Sequence, residues 1–299
     1  MPRHQSLLPY LILTGGVLIV STASILIRLA QQQGVGSLTI AAGRLGLAAL
    51  VLTPLAWWRA GKELRSLSKR DYLLGGLSGL FLAVHFATWI SSLAFTSVAS
   101  SAALVSTNPL WVGLASLFLL KEKVARGALL GIGLTFVGSL LIVLSDAGAT
   151  AQTHFTAPLL GNSLALTGAV AITGYFLIGR NLRQRLSLLA YIWLAYTSAA
   201  IFLLIASQFS GQGVVGLTPL AYLLLLGLAL GPQLLGHTSF NWSLRHLSAT
   251  FVAVAILGEP IGSALLAWLI FGESFATLQL AGFVLLLLGI YVAARSEAG

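Results

Sequence analysis

Apolar residues come in runs of about 20, the length one helix needs to cross a bilayer, and such runs follow one another along nearly the whole chain. Ten can be marked, at roughly 8–28, 37–58, 71–94, 98–120, 126–145, 158–179, 188–207, 218–240, 248–271 and 276–294. Only 8% of the 299 residues are charged, against roughly a quarter in a soluble domain. A water-facing surface could not be built from so few charges. That excludes a soluble enzyme, a disordered chain and a coiled coil. Lipid is the solvent that accepts an apolar exterior. Ten spans use about 200 residues, and the remainder is taken up by tails and short connections. No soluble domain fits, so the function is expected inside the membrane.

Helix starts support these spans. Pro9, Pro158 and Pro219 fall at first-turn positions, where a missing N–H costs nothing. Asp71, Ser97, Ser187, Ser248 and Ser274 read as N-caps. The first run is longer than the core of a secretory signal and lacks a cleavage site near Ser21–Ser24, so it is expected to stay as a membrane helix. Lys and Arg set the orientation. With a cytoplasmic N-terminus, fourteen fall inside: Arg3, Arg59, Lys62, Arg65, Lys69, Arg70, Lys121, Lys123, Arg126, Arg180, Arg183, Arg185, Arg245 and Arg295. The connections after spans 3, 5, 7 and 9 hold none. The net charge of +9 is therefore topology and contact with anionic lipid, not a nucleic-acid surface. Both termini are expected on the cytoplasmic side.

A shift of 151 lays the end of one half on the other. Pro109 falls on Pro260, Glu122 on Glu273, Gly131 on Gly282, Gly138 on Gly289 and Ser97 on Ser248. The units are 1–150 and 151–299. Each has five spans, and an odd number turns the second unit over. The expected fold is an all-α integral membrane protein: ten transmembrane helices in two inverted five-helix repeats around a central cavity. Inverted repeats suit alternating access, because two equivalent halves can exchange conformations and so exchange the open side. The other reading is duplication that merely built a large bundle.

The stretch Leu93–Ser145, with Ser97, Ala102, Asn108, Pro109, Lys121, Glu122, Gly131 and Gly138, resembles the second half of an EamA repeat of the drug/metabolite transporter superfamily. The Pro-to-Glu spacing of 13 recurs in both copies, and Arg44 stands where such repeats often carry an arginine. The resemblance covers essentially the whole chain. More narrowly the chain is similar to bacterial YddG-type aromatic amino-acid exporters. That implies a multi-pass protein of the bacterial inner membrane that exports aromatic and other neutral amino acids. The Trp-Gly pair that opens many EamA repeats is absent here, where the region reads Val20, Ser21, Thr22, Ala23, Ser24.

Polar residues at membrane depth are costly and are therefore candidates for function. Those expected to line the cavity are His85, Trp89, Ser106, Asn108, Trp111, Tyr175, Gln233, His237, Asn241 and Glu259. His85 and Trp89 share a helix face, as do His237 and Asn241. Either the histidines face a vestibule, or they are hydrogen-bonded within the bundle. Pro109, Pro232 and Pro260 should kink spans 4, 8 and 9, each removing one helical hydrogen bond. The kinks are either hinges or structure. Glu259 is the one acid deep in a span; it titrates during transport or is a fixed partner. Arg44 is expected to snorkel outward, with binding of a substrate carboxylate as the other reading. Gly75/Gly79, Gly127/Gly131 and Gly227/Gly231 permit close helix packing. Trp57, Trp58, Trp268 and Tyr291 read as interfacial anchors, while Trp89 and Trp111 lie deep enough to stack on an apolar solute.

No phosphate-binding loop or zinc-protease helix occurs, and Asp71 and Asp146, the only aspartates, sit at opposite interfaces. The chain is not expected to be an enzyme. No catalytic residue, cofactor or metal site is expected. Cysteine is absent. The expected partners are small amino-acid substrates and the lipid bilayer, with no nucleic acid and no obligatory protein. The alternative solute class is cationic drugs or other small metabolites.

Overall fold

The computed structural model describes residues 7–118, 121, 126–148, 155–243, 255–256 and 258–296; the side chains of Pro109, Ser116, Ala128, Asp146–Gly148, Asn241, Ala293 and Ala294 lie outside that description. Arg3, Glu122, Lys123, Arg245 and Ser248 also fall outside the described residues. Every element described is helical.

The chain rises through α1 (Leu8–Ser21) and α2 (Ala23–Gln32), which together form one 25-residue apolar span. They meet at Thr22, whose hydroxyl bonds the Ile19 carbonyl at 2.6 Å. This break has no proline to mark it in the sequence. Gly34, at φ 77°, turns the chain into α3 (Ser37–Arg65), which continues through Pro54. α4 (Lys69–Ser92) begins with a capping box: the Ser68 hydroxyl accepts from the Asp71 N–H, and the Asp71 carboxylate accepts from the Ser68 N–H. The expectation of Asp71 as N-cap is corrected by three residues, because Ser68 starts the helix and Asp71 answers it from the first turn.

The fourth run is two helices, α5 (Val98–Val105) and α6 (Asn108–Phe118), separated by a turn at Ser106–Thr107. The break falls just before Pro109, as the missing N–H requires. α7 (Arg126–Gly148), α8 (Pro158–Leu182) and α9 (Leu188–Phe209) follow. Ser97 and Ser187 cap α5 and α9 as expected. α10 (Pro219–Leu228) runs into a π-helical stretch, Ala229–Gly236, around Pro232, and then into α11 (His237–Ser243). The widened turn absorbs the proline without breaking the span. α12 (Gly258–Phe271) and α13 (Thr277–Ser296) complete the chain. Ser274 lies in the preceding coil and does not cap α13, a second correction. Among the described residues, seven spans are long and apolar enough to cross a membrane, and Leu129–Ser145, Gly258–Phe271 and Thr277–Val292 are shorter apolar helices.

Packing is inside-out relative to a soluble protein. Leu, Phe, Val and Ile face outward along most helices, including Leu73, Phe136, Phe209 and Leu269. Small residues such as Ala41, Ala48, Ala169 and Ala199 fill the interior. With no hydrophobic drive between helices in lipid, close backbone approach supplies the attraction. α7 and α13 show it best. A Cβ on Gly138 would stand 2.5 Å from the Leu286 nitrogen and 2.7 Å from the Gly282 oxygen; one on Gly289 would meet the Gly131 oxygen at 2.6 Å. These contacts pair rising with falling numbers, so the two helices cross antiparallel. Of the expected glycine pairs, Gly75 and Gly79 pack tightly on α9, and Gly127 packs on Ser296. Gly227 and Gly231 make only ordinary contacts, at 3.8 Å, so close approach there is corrected. Trp57, Trp58, Trp268 and Tyr291 are exposed.

Candidate functional site

Arg44 of α3 is 1% exposed, the largest fully buried side chain. It turns inward, and the outward snorkel expected from the sequence is corrected. The reason is visible in its surroundings. Nε donates to the Gln233 Oε1 at 2.8 Å, and the guanidinium lies over the Phe86 ring at 4.4 Å and the Trp89 ring at 5.8 Å. Such faces attract a cation, most strongly when water is excluded. Gln233 comes from the π-helical stretch around Pro232 and is buried. Tyr196 of α9 and Glu259 of α12 stand within electrostatic reach of the guanidinium. No ion pair joins Arg44 to Glu259 among the described residues.

His85 lies beside this group. Its Nδ1 is 2.9 Å from the Gly168 carbonyl oxygen of α8. A carbonyl only accepts, so Nδ1 carries the hydrogen and the ring is held. The ring stacks on Trp89 at 5.9 Å and 19° and meets the edge of Phe86 at 4.8 Å. Gly168 lets α4 and α8 approach at this point: a Cβ there would sit 3.3 Å from the His85 oxygen and from the Trp89 Cβ. His237 of α11 is within electrostatic reach of both Arg44 and His85, and its ring packs edge-on to Phe240 at 6.0 Å. Residues from α3, α4, α9, α11, α12 and the π-helical stretch thus converge on one polar group.

Two donors in that group make no hydrogen bond among the described residues: Nη1 of Arg44 and Nε1 of Trp89, both sealed from solvent. Leaving a buried donor unsatisfied costs about 1–3 kcal/mol, more for a charged group.

The other expected lining residues are held by contacts of their own. Ser106 donates to its own helix at Ala102 (2.7 Å), Asn108 opens α6, and the Trp111 Nε1 donates to the Thr107 hydroxyl at 3.1 Å. These three gather at the α5–α6 break. Tyr175 stacks on Tyr191 at 5.7 Å, and the Tyr191 hydroxyl meets Ser78 at 2.9 Å. Pro260 is buried in the first turn of α12, beside Ser21, whose hydroxyl bonds the Glu259 carbonyl at 3.3 Å. The Pro109 and Asn241 side chains lie outside the described residues. A cavity of about 260 Å³ lies elsewhere, between α5, α12 and α13, lined by apolar residues such as Ala103, Phe283 and Leu286.

A second polar group, not anticipated from the sequence, sits at one end of the bundle. Arg28 of α2 pairs with Glu273 at 3.3 Å and donates to the Thr96 carbonyl at 2.7 Å. The Glu273 carboxylate accepts from the Val98 N–H at 2.9 Å, at the start of α5. Arg28 also lies over Phe155 at 5.1 Å and near Phe271 at 6.0 Å. Both side chains are nearly sealed, 12% and 8% exposed. Burial pushes the Glu273 carboxyl above its usual range, outweighing Arg28 and the Val98 and Ala99 N–H groups.

Apolar spans, a buried charged centre and glycine-packed helices define a multi-pass membrane protein with a polar interior. Residues 7–144 and 159–295 each match the EamA-like transporter family, and the chain belongs to that family, in two copies of its repeat. An uncharacterized transporter of Bacillus subtilis (strain 168), YyaM, is 24% identical over 257 residues, covering 85% of this chain and 83% of that protein. YetK, an uncharacterized transporter of the same organism, is 24% identical over 304 residues, covering 95% and 91%. A solved structure described only as a crystal structure of a protein superposes with a TM-score of 0.64 at 19% identity, over 97% of this chain and 98% of the other. The chain is therefore a transporter-family membrane protein, built on the same fold as that structure.

Proposed function

We propose that the chain exports amino acids, aromatic and other neutral ones, across the bacterial inner membrane by alternating access. The carrying observation is the polar group around Arg44, Gln233, His85, His237 and Glu259, buried where helices of both copies meet. Lipid gives no reason to bury such residues, and a passing polar solute does. Aromatic faces at Phe86 and Trp89 suit an apolar side chain. Ser106, Asn108, Trp111 and Tyr175 extend the lining as the halves move.

Ten crossings in two inverted five-helix units, 1–150 and 151–299, fit this reading, with both termini cytoplasmic. The glycine contacts of α7 and α13 support it. Gly131 and Gly282 are repeat equivalents, as are Gly138 and Gly289, so the contact of Gly131 with Gly289 becomes that of Gly282 with Gly138 when the copies are exchanged. An antiparallel crossing of equivalent helices is what a two-fold in the membrane plane produces. In this orientation the Arg28–Glu273 group is a closed outer latch, joining the first copy to the second. The break beside Pro109, the π-helical turn at Pro232 and the start of α12 at Pro260 are the hinges about which the halves rock.

Efflux of cationic compounds is the weaker reading, because the sealed guanidinium of Arg44 repels a cation at the centre of the group. Counterflow of labelled phenylalanine or tryptophan in proteoliposomes, against unlabelled amino acids or quaternary ammonium compounds, separates the two. Trans-stimulation by amino acids is the expected result. Stimulation by the ammonium compounds alone sinks the proposal. The role of Glu259 is read in the same assay: Glu259→Gln should flatten the pH profile of counterflow, and an unchanged profile assigns Glu259 a fixed structural role.

A further inference from the structure

We infer that the Arg44 and Trp89 side chains form an oxyanion site, and that the solute is held by a carboxylate docked on the Arg44 Nη1 and the Trp89 Nε1. The inference rests on the carrier reading above and names the part of the solute that is recognised.

The guanidinium is oriented through one nitrogen. Nε is spent on Gln233 at 2.8 Å, which orients the guanidinium, and Nη1 has no hydrogen-bond partner among the described residues. A guanidinium N–H left open in this way is a charge-assisted donor suited to a carboxylate oxygen. The cation stands over two aromatic faces 4.4 and 5.8 Å away, which hold it without occupying its N–H groups. Trp89 supplies a further N–H, also buried and unbonded, on the ring that the guanidinium faces. His85, stacked on that ring and tied to the Gly168 carbonyl, keeps the indole in place. Two neighbouring donors, both sealed and both unused, are out of keeping with a group whose role is only structural, because a buried polar network is stable when every member is satisfied. An oxyanion satisfies both at once. Glu259, the carboxylate already in electrostatic reach, makes no direct pair with Arg44 among the described residues, so Nη1 stays open to an incoming acid.

The test uses the full-length protein in lipid nanodiscs and equilibrium binding of three labelled probes of one shape: L-phenylalanine, 3-phenylpropionate, which lacks the ammonium, and phenethylamine, which lacks the carboxylate. Phenylalanine and 3-phenylpropionate should bind, and phenethylamine should bind at least about tenfold more weakly. Arg44→Gln should weaken 3-phenylpropionate about tenfold or more, with partial recovery in Arg44→Lys. Trp89→Phe keeps the ring, removes the N–H, and should weaken it several-fold, which preserves the test if Arg44→Gln does not fold. Phenethylamine binding as tightly as 3-phenylpropionate overturns the inference. So does 3-phenylpropionate that fails to bind the unaltered protein, or that binds Trp89→Phe undiminished. If 3-phenylpropionate binds in an Arg44-dependent way while phenylalanine neither binds nor counterflows, the oxyanion site stands and the amino-acid reading falls.

Discussion

Gly138 and Gly133 lie on the same helix, α7, and differ in what surrounds them. A methyl group on Gly138 would stand 2.5 Å from the backbone nitrogen of Leu286, whereas nothing lies within 4 Å of one on Gly133. Backbone cannot swing aside as the end of a side chain can, so Gly138→Ala forces α13 away. The expected cost is about 1–3 kcal/mol, the usual range for overpacking. Gly133→Ala should be neutral or slightly stabilising, since alanine is the better helix former. Thermal unfolding in detergent, followed by monodispersity on gel filtration, separates the two; equal melting temperatures would contradict the packing described. At this scale the sequence was a partial guide. The 151-residue repeat singled out Gly138 and Gly289 before any contact was known. It did not tell which way Arg44 points. That depends on the rotation of α3 about its axis, and the partner Arg44 meets inside, Gln233, is 189 residues away in sequence.

Among the elements, the group that joins α2, the start of α5 and the connection before α13 decides how one end of the bundle behaves. Removing Glu273 leaves the Arg28 charge and the Val98 N–H buried and unpaired, which costs more than the intact pair contributes. Glu273→Ala should therefore open this end. The native chain has no cysteine, so a single Thr96→Cys, at a site only 1% exposed, reports opening through its rate of reaction with a membrane-impermeant maleimide. A several-fold faster rate in the Glu273→Ala background is expected; equal rates would make the group a static brace. The same assay carries a pH dependence. Burial holds the Glu273 carboxyl above its usual range, so the closed arrangement binds a proton more readily than an open, solvated one. Closure is then favoured at low pH and lost as pH rises through the raised value. Labelling should accelerate with rising pH, after correction for the thiol's own reactivity, and Glu273→Gln should abolish that correction-resistant part. Proline marked the break in the fourth run and the widened turn in the eighth, because the missing N–H is written in the sequence. The break at Thr22 was not legible, since a threonine hydroxyl bonded to a carbonyl three residues back looks the same in sequence as one within a straight helix. The Arg28–Glu273 pair was hidden for a different reason: 245 residues separate its members.

For the molecule as a whole, the decisive matter is whether the two copies lie opposite ways up. The chain offers a matched pair of positions. Lys121 and Gly272 are equivalents at the shift of 151, and both adopt positive φ, 54° and 67°, at the turn that ends the fourth and ninth apolar runs. The same local geometry at the same place in each copy points to one ancestral turn used twice. Charge differs between the two turns: Lys121 and Lys123 flank one, while the described connection 272–276 carries Glu273 and no cation. Lys and Arg are retained on the cytoplasmic side, so equivalent turns with opposite charge should face opposite compartments. Lys121 and Ser274 are both exposed and suit labelling in a chain without native thiols. In intact cells Ser274→Cys should react with an impermeant maleimide, whereas Lys121→Cys should react only after the membrane is opened. The reverse pattern would turn the molecule over and leave the copies inverted. Labelling of both from one side would place the copies parallel, and the exchange of open sides on which alternating access depends would have no structural basis.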